Sequence, residues 1–174
     1  ELAIDALVRP LLALPLFRGL SPLQLTEIVR RAERIIFRPG DALVVENEEA
    51  DAAVVIISGP CVRIDDVGDR TTRSRGEVVP EGSMLAELAM LIDFVHTTTV
   101  IAQGPVKALR LTRERMRELM DEDPALAEHF SACIFNRLKL LADELKSIDS
   151  LIGDARIPAQ ISAPVGNTSA AQTI

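Results

Sequence analysis

The chain has no Trp and no Tyr, and only five of its 174 residues are Phe. Proteins that hold unpaired bases by stacking need aromatic side chains, so this composition argues against that kind of nucleic-acid binding. The net charge of −7 argues in the same direction, because a protein that binds nucleic-acid phosphates needs a basic face. We therefore expect no nucleic-acid contact by this chain itself, unless a DNA-binding domain lies outside the given sequence.

Two local clusters of arginine are candidate exceptions to the acidic total. The first consists of Arg63, Arg70, Arg73 and Arg75, and the second of Arg110, Arg113, Arg115 and Arg117. Acidic residues lie among both clusters, at Asp65, Asp66, Asp69, Glu114 and Glu118. Interleaved charges are typical of a solvated surface, so we expect both clusters to be exposed to water.

Cysteine is also scarce. Cys61 and Cys133 are the two cysteines of the chain, and both lie in apolar surroundings without the spacing of metal ligands. This pattern predicts two buried free thiols and no metal site. Free thiols are typical of a reducing compartment, so we expect the protein to be cytoplasmic.

The sequence lacks the signatures of membrane proteins and of the common enzyme classes. No apolar run reaches the roughly 18 residues of a membrane span, and no signal-peptide pattern opens the chain. We find no Walker loop, no nucleophile elbow, no zinc-ligand spacing and no acid/base pair with a local signature. We therefore expect no membrane segment, no catalytic residue and no enzymatic activity.

What the sequence does contain begins with helices, over residues 1–34. Apolar residues recur at helical spacing from Glu1 to Leu14, where Pro10 interrupts the pattern. Ser21 followed by Pro22 predicts a second helix, because Ser is a favoured N-cap and Pro is favoured at the first helical position.

Short β-type runs follow over residues 35–111. Gly, Pro, Asn or Asp separates most of them, which is typical of a sandwich or barrel. The runs are Ile35–Phe37, Leu43–Val45, Val54–Ile57, Val62–Ile64, Val78–Val79, Thr98–Ile101 and Lys107–Leu111.

Residues 112–152 are predicted to be helical again, with Thr112 as one N-cap and Asp123 before Pro124 as another. Apolar residues in the second helix alternate steps of four and three, as in a coiled-coil seam. They are Ile134, Leu138, Leu141, Leu145, Ile148 and Ile152. The helix either packs on its own barrel or forms a homodimer, and both hold if different turns serve each contact. Residues 153–174 are predicted to be a flexible tail or linker.

The segment Gly82–Leu91, followed by His96–Val100, resembles the phosphate-binding cassette of the cyclic nucleotide-binding domain family. Four further features agree with that family in order and spacing, and together they extend the resemblance from about Leu14 to Leu151. They are Leu14–Pro22, Arg38–Asp41, Asp51–Gly59, and Asp123-Pro124 with the heptad helix, which is similar to the dimer helix of bacterial regulators related to catabolite activator protein.

The resemblance implies an α+β fold, mainly β, with a double-stranded β-helix (jelly-roll) barrel between N-terminal helices and a long C-terminal dimerisation helix. It also implies a binding site in which Glu87 contacts the ribose 2′-hydroxyl, while backbone N–H groups near Ala86, Leu88 and Ala89 hold the phosphate. Thr97 is expected to add a further contact.

This sequence departs from the family pattern at three places. Ala86 replaces a Gly, which is compatible with close ligand approach if the backbone there does not need a positive φ. His96 replaces the Arg that pairs with the phosphate, which removes a permanent charge and a bidentate fork. Leu141 and Ala142 stand where a cAMP-responsive regulator presents hydroxyls to adenine.

Two functions follow from these features. In the first, the chain is the sensor part of a Crp/Fnr-like transcription regulator or of another signalling protein, and couples cAMP, cGMP or another small anion to a dimerising helix. In the second, it is a dimerisation module that has lost nucleotide binding. In that case Glu87 only satisfies loop N–H groups, His96 is an edge residue, and Thr97 is present for its β-propensity.

Overall fold

The computed structural model describes residues 4–64 and 76–154. The chain divides into two compact units, Glu1–Ile134 and Phe135–Ile174. The helices and strands below lie in the first unit, except that the last helix continues into the second. None of the helices in the described ranges is both long and apolar enough to cross a membrane.

The described residues contain four α-helices. They are α1 (Ile4–Leu12), α2 (Pro22–Arg31), α3 (Arg113–Glu122) and α4 (Pro124–Asp154), with short 3-10 turns at Pro15–Phe17 and Glu87–Met90. The predicted interruption at Pro10 is wrong, because α1 continues to Leu12. Pro10 lies near the end of the helix, where the lost backbone hydrogen bond removes little of the helix.

The predicted helix starts are confirmed by their side-chain caps. Ser21 Oγ accepts a bond from the N–H of Gln24 at 3.2 Å, and Gln24 Oε1 accepts one from the N–H of Ser21 at 2.9 Å. Thr112 Oγ1 accepts from the N–H of Arg115, and Asp123 Oδ1 accepts from the N–H groups of the first turn of α4. Each cap satisfies N–H groups that have no intrahelical partner.

The described residues contain ten antiparallel strands. They are β1 (Glu33–Phe37), β2 (Ala42–Val44), β3 (Glu49–Ala50), β4 (Ala52–Ser58), β5 (Cys61–Ile64), β6 (Glu77–Val79), β7 (Met84–Leu85), β8 (Phe94–Val95), β9 (Thr99–Ala102) and β10 (Val106–Thr112). These strands form two four-stranded sheets and one short pair, in the orders β1-β10-β4-β7, β2-β9-β5-β6 and β3-β8. The three strands of two residues each, β3, β7 and β8, have no counterpart among the predicted runs.

The first sheet separates two apolar clusters. On its inner face, Val54, Ile56 and Ala108 pack with residues of the second sheet, including Val100, to form the barrel interior. On its outer face, a second cluster joins the sheet to α1, α2, α3 and the first turns of α4. Strand β4 contributes to both clusters, which explains its continuous apolar sequence where a strand with one wet face would alternate.

The described part of α4 changes character along its length. Within the first unit, Leu126 and Phe130 are fully buried, and Phe130 packs edge-on against the ring of Phe17 at 6.1 Å between centroids. Every residue from 135 to 152, in the second unit, is exposed. The early turns therefore belong to the core, whereas the apolar residues of the later turns are open to solvent.

Candidate functional site

The cassette begins with a loop anchored on β4. The N–H of Gly82 donates to the carbonyl of Ile56 at 2.7 Å, and the N–H of Ile56 donates to the carbonyl of Ser83 at 2.9 Å. The Ser83 hydroxyl donates to the carbonyl of Pro80 at 2.6 Å. These bonds fix the start of the cassette to the central strand of the barrel.

Ala86 adopts a left-handed backbone conformation, with φ 51° and ψ 46°. The backbone at this position therefore does have a positive φ, which a Cβ disfavours, so Ala cannot replace Gly here without strain. Asn47 also has a left-handed backbone conformation, with φ 67°, but Asn tolerates this conformation better than Ala does. Ala86 thus holds strained backbone at the centre of the cassette.

The helical part of the cassette is a single 3-10 turn, Glu87–Met90. Its first internal bond runs from the N–H of Ala89 to the carbonyl of Ala86 at 2.9 Å, so the Ala89 N–H is already used, and the Ala89 side chain is fully buried. The N–H of Leu88 precedes that bond in the turn and is not used by it. A turn of four residues has little macrodipole, so an anion bound here needs charge from side chains.

His96 follows β8 and closes a small backbone ring with the β2–β3 connection. Its carbonyl accepts from the N–H of Asn47 at 2.8 Å, and its N–H donates to the carbonyl of Glu48 at 2.9 Å. Partial burial lowers the pKa of the His96 imidazole, while the charges of Glu48 and Asp51 act in the opposite direction. Because burial is the largest effect, the imidazole is neutral at pH 7.

A cavity of about 310 Å³ lies against the cassette. Of the six residues predicted to bind ligand, Ala86, His96 and Thr97 line it, whereas Glu87 and Leu88 are half-buried in the adjoining turn and Ala89 is in the core. The remaining lining residues are Val44, Arg63, Met84, Leu85, Phe94 and Thr98.

Arg63 is a lining residue that the sequence analysis assigned wrongly to a solvated surface. Its Cα partner on β9 is Val100, which is fully buried in the barrel, and directly paired residues share a face of the sheet. Arg63 therefore lies on the inward face, and its side chain is 34% exposed. The sequence could have indicated this position, because alternate residues of a strand share a face and Arg63 lies two residues after the buried Cys61.

The other predicted basic residues do not form a free basic stripe. Arg110 pairs with Glu33 at 2.8 Å and with Asp51 at 2.6 Å, and Arg113 pairs with Asp93. Arg115 pairs with Glu118, while Arg117 is exposed. Arg70, Arg73 and Arg75 lie outside the described residues, as do Asp65, Asp66 and Asp69.

The two cysteines differ. Cys61 is buried in the barrel, and burial raises the pKa of its thiol. Cys133 is only half-buried, because it lies where the packed part of α4 ends, so its predicted burial is wrong. Both are free thiols. No cluster of three or more His, Cys, Asp or Glu suited to a metal is found in residues 4–64 and 76–154.

The predicted seam residues of α4 differ in how far their side chains are exposed to solvent. Ile134 is half-buried, whereas Leu138, Leu141, Leu145 and Ile148 are exposed by 50–64%. Large apolar side chains exposed at heptad spacing are typical of a helix that pairs with another helix. Ala142, beside Leu141, is also exposed.

One curated protein that the chain resembles is the cGMP-dependent protein kinase egl-4 of Caenorhabditis elegans. The two are 26% identical over 116 residues, which cover 66% of this chain. The match spans only 15% of the kinase, so the likeness is confined to a small part of that protein.

Three solved structures have a similar fold. A cyclic nucleotide-binding-like protein from Brucella abortus matches with a TM-score of 0.56 and 25% identity, over 66% of this chain and 97% of its own. The N-terminal domain of a transcriptional regulator from Streptomyces coelicolor matches at 0.66 and 21%, over 88% and 99%. Catabolite activator protein from Thermus thermophilus matches at 0.56 and 22%, over 78% and 63%.

The sequence profile of the cyclic nucleotide-binding domain matches residues 34–123, which is just over half of the chain. The matched range runs from β1 to the cap of α4, and it contains the cavity and every residue that lines it. The fold predicted from the sequence is confirmed by the sheets and by the structural matches. The chain belongs to the cyclic nucleotide-binding domain family.

Proposed function

We propose that this chain is a ligand-sensing regulatory module that binds a cyclic nucleotide, or another small anion, in the cavity beside the cassette. The observation that carries the proposal is the convergence of Ala86, His96 and Thr97 on one cavity of about 310 Å³. That volume lies at the lower end of the range for small-molecule sites. The ligand is cAMP or cGMP, and cGMP is named for the related kinase.

Ligand binding is expected to act on α4. A ligand shifts a conformational equilibrium only if it binds one state more tightly than the other. In this proposal the closed cassette favours one arrangement of α4, and the exposed apolar residues of its later turns join two copies into a homodimer. The output is that of a cytoplasmic bacterial transcription regulator of the Crp/Fnr type, or of a larger signalling protein.

Titration calorimetry with cAMP and cGMP tests the binding function in wild type and in His96→Arg. We expect weak binding by wild type, because a neutral imidazole replaces a permanent cation with a bidentate fork. The variant should bind about 10 to 100 times more tightly, since a charge-assisted hydrogen bond contributes roughly 1.5–3 kcal/mol. If neither protein binds either nucleotide, the cavity is not a cyclic nucleotide site.

A second function is favoured by α4 alone. Leu138 and Leu145 are 61% and 64% exposed, and they need no ligand in order to pair with a second copy. The chain would then be a ligand-independent dimerisation module. Sedimentation with and without nucleotide separates the two functions: a dimerisation constant that changes with nucleotide supports the sensor, and an unchanged constant supports the second function.

A further inference from the structure

Arg63 lines the cassette cavity from β5, a strand outside the cassette. Its backbone is held between two strands, with Val100 of β9 and Glu77 of β6 as Cα partners. The side chain therefore starts from rigid sheet structure. His96 and Thr97, which come later in the sequence, line the same cavity.

The hydrogen bonding of this guanidinium is incomplete. Its Nη1 lies 3.2 Å from Glu77 Oε2, in an ion pair at the exposed end of the strand pair. Its Nε is buried and has no acceptor among the described residues. A buried donor without an acceptor is costly, so such a group in a cavity wall is suited to a ligand that supplies the acceptor.

The free donor also has a defined geometry. A guanidinium is planar, and its Nε and Nη2 hydrogens point in parallel along one edge. The Glu77 ion pair uses Nη1, which is not on that edge. Two parallel donors match the two oxygens of a phosphate or carboxylate, and such bidentate pairs are among the strong hydrogen bonds of proteins.

The other positively polarised groups at the cavity are weak. His96 is neutral at pH 7, and the cassette turn is a single 3-10 turn with little dipole. Among the lining residues in the described ranges 4–64 and 76–154, Arg63 is the only side chain with a permanent positive charge.

We propose that Arg63 is the anion-binding residue of this site, and that its Nε and Nη2 hold the phosphate of the ligand in place of the Arg that His96 replaces. Glu77 is a positioning residue, which holds Nη1 and so orients the fork. This inference rests on the proposed function for the identity of the ligand as a cyclic nucleotide, but not for the anion site itself.

Nuclear magnetic resonance of the Arg63 Nε–H group tests the proposal directly in wild type. The full chain, labelled with ¹⁵N, is titrated separately with inorganic phosphate, cAMP and cGMP. We expect the Arg63 Nε–H resonance to shift with each anion that binds, whereas the Nε–H of Arg115, which lies on the surface beside Glu118, should not move.

Two matched variants, Arg63→Lys and Arg115→Lys, supply the affinity test. Each keeps one positive charge, but only the first removes a fork from the cavity. We expect Arg63→Lys to weaken anion binding about tenfold or more and Arg115→Lys to leave it unchanged. Circular dichroism checks that both variants fold, and the wild-type resonance decides the question if Arg63→Lys does not.

The outcomes separate this inference from the proposed function. If phosphate shifts the Arg63 resonance but neither nucleotide binds, the anion site stands and the nucleotide function fails. If a nucleotide binds wild type and Arg63→Lys with equal affinity, or binds without moving the Arg63 resonance, the function stands and this inference is overturned. If neither phosphate nor a nucleotide moves the resonance, the inference is also overturned.

Discussion

Single residues decide how well the cassette can work. Ala86 holds a left-handed conformation that a side chain disfavours, and His96 is held neutral by partial burial where the family has a permanent cation. The strain at Ala86 costs stability, and the neutral imidazole of His96 attracts an anion less than a permanent cation would. Arg63 compensates in our proposal, because its charge does not depend on pH in the physiological range.

Replacing Ala86 by Gly should leave the protein as stable as wild type or stabilise it by up to about 1 kcal/mol. The relief of left-handed strain, about 1–2 kcal/mol, outweighs the extra chain entropy of Gly in the unfolded state. The control is Ala132→Gly, at an exposed position inside α4, which should cost about 1 kcal/mol. Urea unfolding measures both, and equal losses would show that Ala86 carries no strain.

Nucleotide affinity should rise as the pH falls through the pKa of His96, because a bound phosphate favours the protonated imidazole. The pKa of free His96 lies below the usual value of about 6.5. The lowered pKa also affects the stability of the protein without ligand, and here a fall in pH is unfavourable. Since the unfolded chain then binds more protons, this group lowers stability as the pH falls below about 6.5.

Calorimetry in buffers of different ionisation enthalpy measures the proton taken up on binding. In His96→Arg the proton uptake and the pH dependence should both disappear, because Arg stays charged throughout. A pH dependence that persists in this variant would show that His96 is not the group that takes up the proton.

Among the secondary-structure elements, α4 is a single helix with a buried first part and an exposed, apolar later part. Its first turns bury Leu126 and Phe130 in the core of the first unit, and its later turns expose apolar residues at heptad spacing. The two alternatives that the heptad pattern allowed are therefore compatible, because each concerns a different part of the helix. The apolar side chains of the later turns are exposed, and a second copy is the partner that a heptad seam favours.

If the proposed dimer seam is correct, wild type forms a dimer and the double variant Leu138→Glu/Leu145→Glu should be monomeric at the same concentration. Burial of a Leu contributes about 1.5–3 kcal/mol, so charges at both positions should weaken association by more than about 100-fold. Leu140→Glu is the matched control, since Leu140 is 64% exposed but lies off the seam. Sedimentation equilibrium measures each protein, and equal effects of both changes would contradict the seam.

At the scale of the whole molecule, the first sheet organises the first unit, because its two faces contribute to two separate apolar clusters. Strands β4 and β10 supply residues to both. The cassette loop is hydrogen-bonded to β4, and Thr112 at the end of β10 caps α3. A change at the cavity thus has a short covalent and hydrogen-bonded route to the helices.

The features that could be predicted from the sequence are local ones. Caps at Ser21 and Thr112 require only neighbouring residues, and strands of three or more residues show their own apolar pattern. Membership of the cyclic nucleotide-binding domain family could also be predicted, from the order of short motifs along the chain. The two-residue strands β3, β7 and β8 did not follow, because so short a segment becomes a strand only when a partner supplies its hydrogen bonds.

The tertiary structure alone decided the conformation of Ala86 and the direction of Arg63. A left-handed φ at an Ala is imposed by the bonds around the turn, against the preference of the residue itself. Arg63 belongs to a charged cluster in the sequence, but its pairing with a buried Val100 places it on the inner face of the barrel. Composition cannot reveal which face a charged residue takes, because strand register and packing decide it.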